Sequence, residues 1–589
     1  AAGVAAALIV LGRDQVALLS LYLLAGFAAW RILATDRPVE TARANLFPLA
    51  AGAASALLVF AVPVLLTVLV AAESNRPEID FIGAGRGSLH PALLLTLVAP
   101  DVFGAAGRME DYWGPPSFAW PDTGLFIAQN VGQLYIGAIP LLLIVLAGLR
   151  GELWARDIRF FTVAALLMLL YALGWYTPAF QVFYTLLPGI SLYRRPADAV
   201  FLVGALGAIL AGYAVHRLFT DTKANVPRQQ VQMVAGVIGS AFLLLILLAV
   251  WRDRLPLLPF PLGISVLTFA AAGLLLYWVR LGITVQPTLA AILLGAFTTL
   301  DLAYHNGPTL ASALPPSTYA VLEPTTNNAT IAILKSRVVD DDKRRDRIEL
   351  TGLGFHWPNA SLTHSLENTL GYNPLRLRLY SEATGAEDHV GLPDQRKFSP
   401  LFPSYRSKLA ALLGLRFIAA GAPIDTIDRK LKPGDLPLVA RTSDGFIYEN
   451  PNTYDRVLFA TAAQTADFDR LLQDGQWPDV DLKTTVLLEE APPARTTPAQ
   501  PGQARIVSYR NTRIELEADS PDGGWVVLND VWQPWWFAEV DGSPAEILRA
   551  NVLFRAVAVP PGRHKVTFTF RPLAGALNQL RSPVPRHAP

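Results

Sequence analysis

Apolar residues fill the first half of the chain in long unbroken runs. They do not follow the period of two or 3.6 that marks a half-buried strand or helix. A run of about 20 apolar residues is long enough to cross a bilayer. Eight segments have spanning length and composition: 15–34, 46–72, 131–149, 160–174, 199–218, 233–251, 262–280 and 285–304. Leu, Ala and Val dominate them, and Pro48 and Pro63 predict a kink in the second. Trp30, Trp154, Trp175, Trp251 and Trp278 stand near segment ends, where aromatic belts form. The opening AAGVAAALIVLG is apolar but too short to span, and no basic residues precede it. It reads as the tail of a helix that begins upstream, so earlier membrane segments are expected before residue 1.

Beyond residue 304 the pattern changes to that of a globular chain. Residues 305–503 mix helical and extended stretches; SKLAALLGLRFIAAG at 407–421 reads as a helix feeding an apolar strand. The run VVDDDKRRDR at 338–347 reads as a solvated loop. Residues 504–572 alternate with period two between the turn signals PDGG, Asp541-Gly542 and PPG, which predicts a β-sandwich. Residues 573–589 read as a polar tail. The expected fold is thus an α-helical polytopic membrane domain over 1–304, then an extracytoplasmic α/β region ending in a β-sandwich.

Charge sharpens this picture. Only 16% of the residues are charged and mean hydropathy is +0.34, against about 25% charged in an ordinary soluble chain. A net charge of +1 with no basic stripe argues against a nucleic-acid partner. The absence of cysteine excludes disulfides, thiolate metal sites and cysteine nucleophiles. Arg31, Arg37, Arg43, Arg150, Arg156, Arg159, Arg217, Lys223, Arg228 and Arg280 gather in short loops on one side, the predicted cytoplasmic side. The long loops 73–130, 175–198 and 252–261 fall on the other side with the C-terminal half; Arg194, Arg195, Arg252 and Arg254 run against this bias.

The 73–130 loop carries the densest candidate chemistry. Glu73, Arg76, Asp101, Arg108, Glu110 and Asp111 stand among Tyr112, Trp113 and Trp120. Aromatic faces stack on sugars and arginine pairs with phosphate, so the loop suits a sugar-phosphate; it equally suits an interfacial loop packed on the bundle. Within its HPALLLTLVAP run, residues 90–99 are a candidate to lie flat in the interface. Arg194 and Arg195, before Pro196, fit a lipid-linked phosphate or a headgroup contact. Asp301, near the end of the last span, is either a functional carboxylate or an interfacial cap. Trp532, Trp535 and Trp536 form either a sugar platform or core packing. His356 and His364 have no third partner for a metal, and no hydrolase, metalloprotease or nucleotide motif occurs.

The stretch GWVVLNDVWQPWWFAEVDGSPAEILRANVLFRAVAVPPGRHKVTFTFRP resembles the C-terminal signature of the YfhO family of bacterial membrane proteins. The matching pieces are Val540-Asp541-Gly542, Asn551, Phe554-Arg555 and Pro560 to His564. Upstream, Glu73-Ser74-Asn75-Arg76, Pro100-Asp101-Val102-Phe103-Gly104, Tyr112-Trp113-Gly114, Arg194 with Pro196, and Asn368 with Gly371-Tyr372-Asn373-Pro374-Leu375 resemble further elements. The chain departs from the family with Trp535 where Gly follows the proline, and with Asp198 where a basic residue is usual.

The resemblance implies a GT-C-like membrane glycosyltransferase in a bacterial inner membrane. A polyprenyl-phosphate sugar would be donor and a cell-envelope polymer or glycolipid the acceptor, with the C-terminal domain extracytoplasmic. It implies a principal catalytic acid upstream of residue 1, an assignment that no residue present takes by motif; Glu73, Asp101 and Asp111 are the candidate catalytic carboxylates of this chain, expected to line the site and orient acceptor or metal. Arg76, Arg194, Arg195, Tyr112 and Trp113 would bind substrate, and a divalent metal, Mg or Mn, is the one cofactor that fits. The alternative is a non-catalytic scaffold or lipid-linked-saccharide transporter with a carbohydrate-binding β domain.

Overall fold

The computed structural model describes residues 15–75, 79–120, 123–125, 127–220, 227–282, 286–310, 312–373, 375–386, 391–490 and 499–581, with Gly3 and Ala7. Most of the opening apolar stretch and the end of the polar tail lie outside the described residues. The chain divides into two compact units, Ala1–Ala61 with Glu78–Pro315, and Val62–Pro77 with Pro316–Pro589.

Helices form where the apolar runs predict them: α1 (Gln15–Leu33), α2 (Pro38–Ala72), α3 (Ala138–Leu149), α4 (Arg159–Ala172), α5 (Val200–Thr220), α6 (Arg228–Trp251), α7 (Pro259–Gly282) and α8 (Pro287–His305). Six helices are long and apolar enough to cross a membrane: Gln15–Leu33, Pro38–Ala72, Pro196–Thr220, Arg228–Trp251, Pro259–Leu281 and Pro287–His305. The chain is therefore a multi-pass membrane protein, with Leu58, Phe47 and Leu267 among the apolar side chains exposed for lipid. α2 stays one continuous helix through Pro48 and Pro63.

α3 and α4 are shorter than their apolar runs, at 12 and 14 residues. Gly137 (φ 102°) delays the start of α3, and Gly174 (φ 52°) follows the end of α4. Both pack on α5, and Leu143, Met168 and Tyr171 are buried in the first unit's core.

Within this unit the loops sort onto two sides. On one, Arg150 and Arg217 pair with Glu152, Arg156 donates to the Ala34 carbonyl, and Arg280 donates to the Leu218 carbonyl. On the other, His90 meets Trp120 and Tyr176, Trp120 meets Trp251, and the Leu310 N–H donates to the Ala106 carbonyl. The short basic loops thus share one side and the described parts of the long loops the other, as charge bias predicts.

The stretch from residue 90 packs one face into the core of the first unit. His90 caps a tight 3-10 helix over Pro91–Leu97, and Leu93, Thr96, Val98 and Ala99 are buried. Thr96 Oγ1 bonds the Leu93 and Gly132 carbonyls, which turns the apolar face into the core.

The second unit holds three sheets. The first has order β2-β1-β3-β5-β4 and comprises β1 (Arg347–Thr351), β2 (Glu367–Asn368), β3 (Leu415–Ala420), β4 (Leu438–Arg441) and β5 (Phe446–Glu449). β1 is parallel to β2 and β3, and β5 is antiparallel to β3 and β4. The predicted helix and strand at 407–421 appear as Lys408–Leu412 and β3.

The remaining strands are β6 (Val457–Ala460), β7 (Ala462–Thr465), β8 (Thr485–Leu488), β9 (Gln503–Arg510), β10 (Arg513–Ser520), β11 (Gly524–Leu528), β12 (Trp536–Val540), β13 (Ser543–Ala545), β14 (Leu548–Ala550), β15 (Phe554–Val559) and β16 (Gly562–Phe570). They make sheets β6-β11-β15-β14-β8-β7 and β13-β12-β16-β10-β9. Val526, Leu528 and Val557 of one sheet share a core with Leu516, Val566 and Phe568 of the other. This β region starts near Val457, upstream of the predicted 504, because β6, β7 and β8 complete one of its sheets. Asp541 (φ 49°) and Gly542 (φ 80°) form the predicted two-residue hairpin between β12 and β13.

Two sequence expectations change here. The 338–347 run is not wholly solvated: Asp346 is buried and Arg347 enters β1. The first part of the polar tail is a helix, Pro572–Arg581, with Gly575 and Ala576 buried. A Cβ on Gly575 would stand 2.6 Å from Trp535 Cα, so glycine is what lets this helix seat.

Candidate functional site

A cleft of about 770 Å³ opens in the second unit. Leu69 and Ala72, in the last turn of α2, line it together with Leu379 and Leu580. Glu382, Asp469, Glu489, Glu490 and Glu546 also line it, with Trp532. Two guanidiniums enter, each beside a carboxylate: Arg549 Nε is 3.2 Å from Glu489 Oε2, and Arg378 Nε is 3.8 Å from Glu382 Oε1.

Glu73 lines the cleft just past the end of α2. The chain that follows pairs with residues 376–378: Arg378 N–H donates to the Glu73 carbonyl and Asn75 N–H to the Arg376 carbonyl, both at 2.9 Å. Gln579 of the C-terminal helix donates to the Glu73 carboxylate, and its own oxygen accepts from Trp535 Nε1 at 2.9 Å. Burial raises the Glu73 carboxyl above the usual carboxylate range, against the hydrogen bond from Gln579 and the charge of Arg378. A carboxylate whose pKa is raised in a cleft is a stronger base than a free one. With six carboxylates and two guanidiniums the lining is net negative, so it fits a neutral or amine-bearing polyol better than a phosphate.

The other expected site residues lie in the first unit, except Arg76, which lies outside the described residues. Asp101 closes a turn, accepting from Ala106 N–H at 2.8 Å. Asp111 is exposed at the end of a 3-10 turn, Met109–Asp111. Tyr112 and Trp113 are not open faces for a sugar. They are 4% and 1% exposed, with the Tyr112 hydroxyl on the Pro115 carbonyl and Trp113 edge-on to Phe103. They pack inward because the loop folds onto the bundle core.

Arg194 is exposed. Arg195 has φ 67° and pairs with Asp198 at 3.2 Å, so Asp198 counters its charge. A Cβ on Gly87 would stand 2.2 Å from Arg195 Cα, so only glycine admits this crossing. Asp301 is the cap of α3: its carboxylate accepts from Ala138 N–H at 2.8 Å and from the Tyr135 hydroxyl at 2.7 Å.

Among the described residues no group of three or more histidine or carboxylate side chains is placed to hold a metal ion. Among the described residues the donor set does not fit the divalent metal that the resemblance implies.

The C-terminal residues behind the resemblance serve the fold. Asp541 accepts from Lys565 N–H and pairs with His564 at 2.6 Å; buried Asn551 (φ 47°) exchanges two bonds with Leu487; Phe554 and Arg555 are buried. Of the three tryptophans near the β12 start, Trp535 is core, Trp536 lies under Arg555 at 4.1 Å, and Trp532 lines the cleft. Sequence reasoning missed the cleft's acidic wall, because Glu382, Asp469, Glu489 and Glu546 sit on separate segments with no shared motif. No family model, characterised protein or solved structure matches the chain.

Proposed function

We propose that this chain is a GT-C-like membrane glycosyltransferase of the YfhO type, and that its acceptor saccharide binds in the cleft between Glu73 and Trp532. The observation that supports this reading is the mixed lining of the cleft. It includes Leu69 and Ala72 from the last turn of a candidate span, and it offers carboxylates and an indole, the groups that accept hydroxyl hydrogen bonds and stack on a sugar face. An amphipathic, lipid-borne substrate presents both kinds of surface.

In the proposed step the Glu73 carboxylate takes the proton of an acceptor hydroxyl. The hydroxyl oxygen forms a bond to the anomeric carbon of the donor sugar. The bond from that carbon to the phosphate oxygen breaks, and polyprenyl phosphate leaves with the electron pair. The two sheets that share a core form the β-sandwich of an extracytoplasmic domain in a bacterial inner membrane. Partners are the bilayer, the lipid-linked donor and a cell-envelope polymer or glycolipid.

The test is transfer from a radiolabelled polyprenyl-phosphate sugar by the purified protein in detergent. Glu73→Gln is expected to slow transfer by about a hundredfold or more, as loss of a general base does. Trp532→Ala is expected to weaken saccharide binding with less effect on the step itself. Full transfer by both variants removes the cleft from the mechanism. Saccharide binding with no transfer by the parent chain supports the non-catalytic scaffold or transporter instead.

A further inference from the structure

The end of the bundle that gathers the long loops holds two arginines, Arg252 and Arg254, that pair with no carboxylate among the described residues. Arg252 follows α6. Its guanidinium carbon is 3.8 Å from the Trp120 ring centre and 3.9 Å from that of Trp251, and the two indoles stand 6.1 Å apart at 87°. Arg254 lies 5.1 Å from the Phe118 ring centre, and its Nη1 donates to the Asp253 carbonyl at 3.1 Å. The Nε atoms of both are buried without an acceptor. Among the described residues neither arginine has a carboxylate within ion-pair distance.

Position at a helix C-terminus explains part of this, since the helix dipole favours cations there. It does not satisfy the N–H groups. Stacking strips water from the guanidinium faces and leaves the planar N–H edge, which matches an oxyanion in fork geometry. His90 stands edge-on to Trp120 at 4.8 Å. Burial and the charge of Arg252 hold its imidazole down at about 4, so it is neutral at pH 7. Its Nδ1 accepts from Ala92 N–H at 3.1 Å, which places the proton on Nε2 as a further donor. In the cluster Phe118 and Trp251 are 66% and 68% exposed, apolar faces at the end of a candidate span. A ligand that satisfies both parts carries a phosphate on a hydrocarbon chain.

We propose that Arg252 and Arg254 form a binding site for the phosphate of a membrane lipid at the end of α6. The site belongs to the first unit, and its reading stands whether or not the cleft of the second unit takes a saccharide.

The test uses the purified chain in non-ionic detergent, with bound lipid counted by native mass spectrometry. Phosphatidylglycerol, a polyprenyl phosphate, diacylglycerol and inorganic phosphate are titrated separately. Both phosphate-bearing lipids are expected to bind, and the Arg252→Gln/Arg254→Gln double variant to lose about tenfold or more in affinity for them. Arg280→Gln, on the other side of the bundle, is expected to leave binding unchanged. Trp251→Leu removes one stacking face from an exposed position; it is expected to weaken binding with the melting temperature kept, which covers the case of a misfolded double variant. Preference between the two lipids identifies the source of the phosphate, and either result upholds the site. Unchanged affinity in both the double variant and Trp251→Leu overturns it. So does diacylglycerol or inorganic phosphate binding as tightly as the phosphate lipids.

Discussion

The membrane unit and the β-rich unit handle buried charge in opposite ways. Among the described residues the first buries one charged side chain, Asp301. The second buries seven: Asp346, Glu349, Arg396, Asp428, Arg456, Asp530 and Arg555. In a bilayer the outer surface of a bundle offers no water, so a charge there is costly on every side. Asp301 is tolerated because the α3 N-terminus and the Tyr135 hydroxyl satisfy both its oxygens. In the second unit charges are buried as networks that join its sheets.

The Asp530 network is the clearest of these. Arg347 of β1 reaches Asp530 at 2.7 Å, Arg456 at 3.1 Å and Arg555 of β15 at 3.3 Å, and the Tyr509 hydroxyl of β9 donates at 2.7 Å. Burial alone would raise the Asp530 carboxyl, but Arg456, Arg555 and Arg347 together hold it well below the usual range. Glu367 of β2 takes Arg345, Arg347 and Arg456 from the same cluster. A second network closes Glu349 with Arg396 at 2.7 Å, the Tyr405 hydroxyl at 2.7 Å and Thr369 at 2.8 Å.

Three substitutions order the contrast by size. Asp530→Ala leaves the buried guanidiniums of Arg456 and Arg555 and the half-buried one of Arg347 without their shared carboxylate and is expected to cost about 3–5 kcal/mol. Chemical denaturation followed by tryptophan fluorescence reads this, and a cost under about 1 kcal/mol would show that the network does not hold the sheets together. Asp301→Leu removes the cap of α3 and leaves a backbone N–H and a hydroxyl unpaired, an expected loss of about 1–3 kcal/mol. Thermal unfolding in detergent measures it; a larger loss than that of Asp530→Ala would reverse the order and with it the contrast.

The smallest effect is at Glu73, and its sign follows from its raised pKa. The folded chain holds this proton more tightly than the unfolded chain. The contribution to stability is therefore full below the unfolded value of about 4.3 and is lost as pH rises through the folded value. Glu73→Gln is expected to flatten the stability profile in that window and to change little below it. Melting curves of both proteins across the window decide it; equal slopes mean that Glu73 is not the titrating group.

The candidate chemistry was legible in the sequence only in part. Glu73 was singled out as a carboxylate in an aromatic-rich stretch and lies in the cleft, but it does so with Gln579 and Glu382, which are remote in sequence. Tyr112 and Trp113 carried the same aromatic signal and are core, because an indole that stacks on sugar and one that fills a hole read alike. Arg252 and Arg254 were visible as exceptions to the charge bias, and their partners Trp120 and Phe118 come from another loop. The acidic wall and the Asp530 network have no local signature at all.

By itself the sequence determined six of the eight proposed spans, the sorting of loops onto two sides, the β-rich end and the Asp541-Gly542 hairpin. Each rests on a local quantity: apolar length against bilayer thickness, charge in short loops, alternation, or two residues that accept positive φ. Tertiary structure decided that α3 and α4 are short, that the 90–100 stretch turns inward, that residues 572–581 form a seated helix, and which charges are buried. Those outcomes depend on what stands opposite a side chain once the chain has folded, and a single sequence does not carry that information.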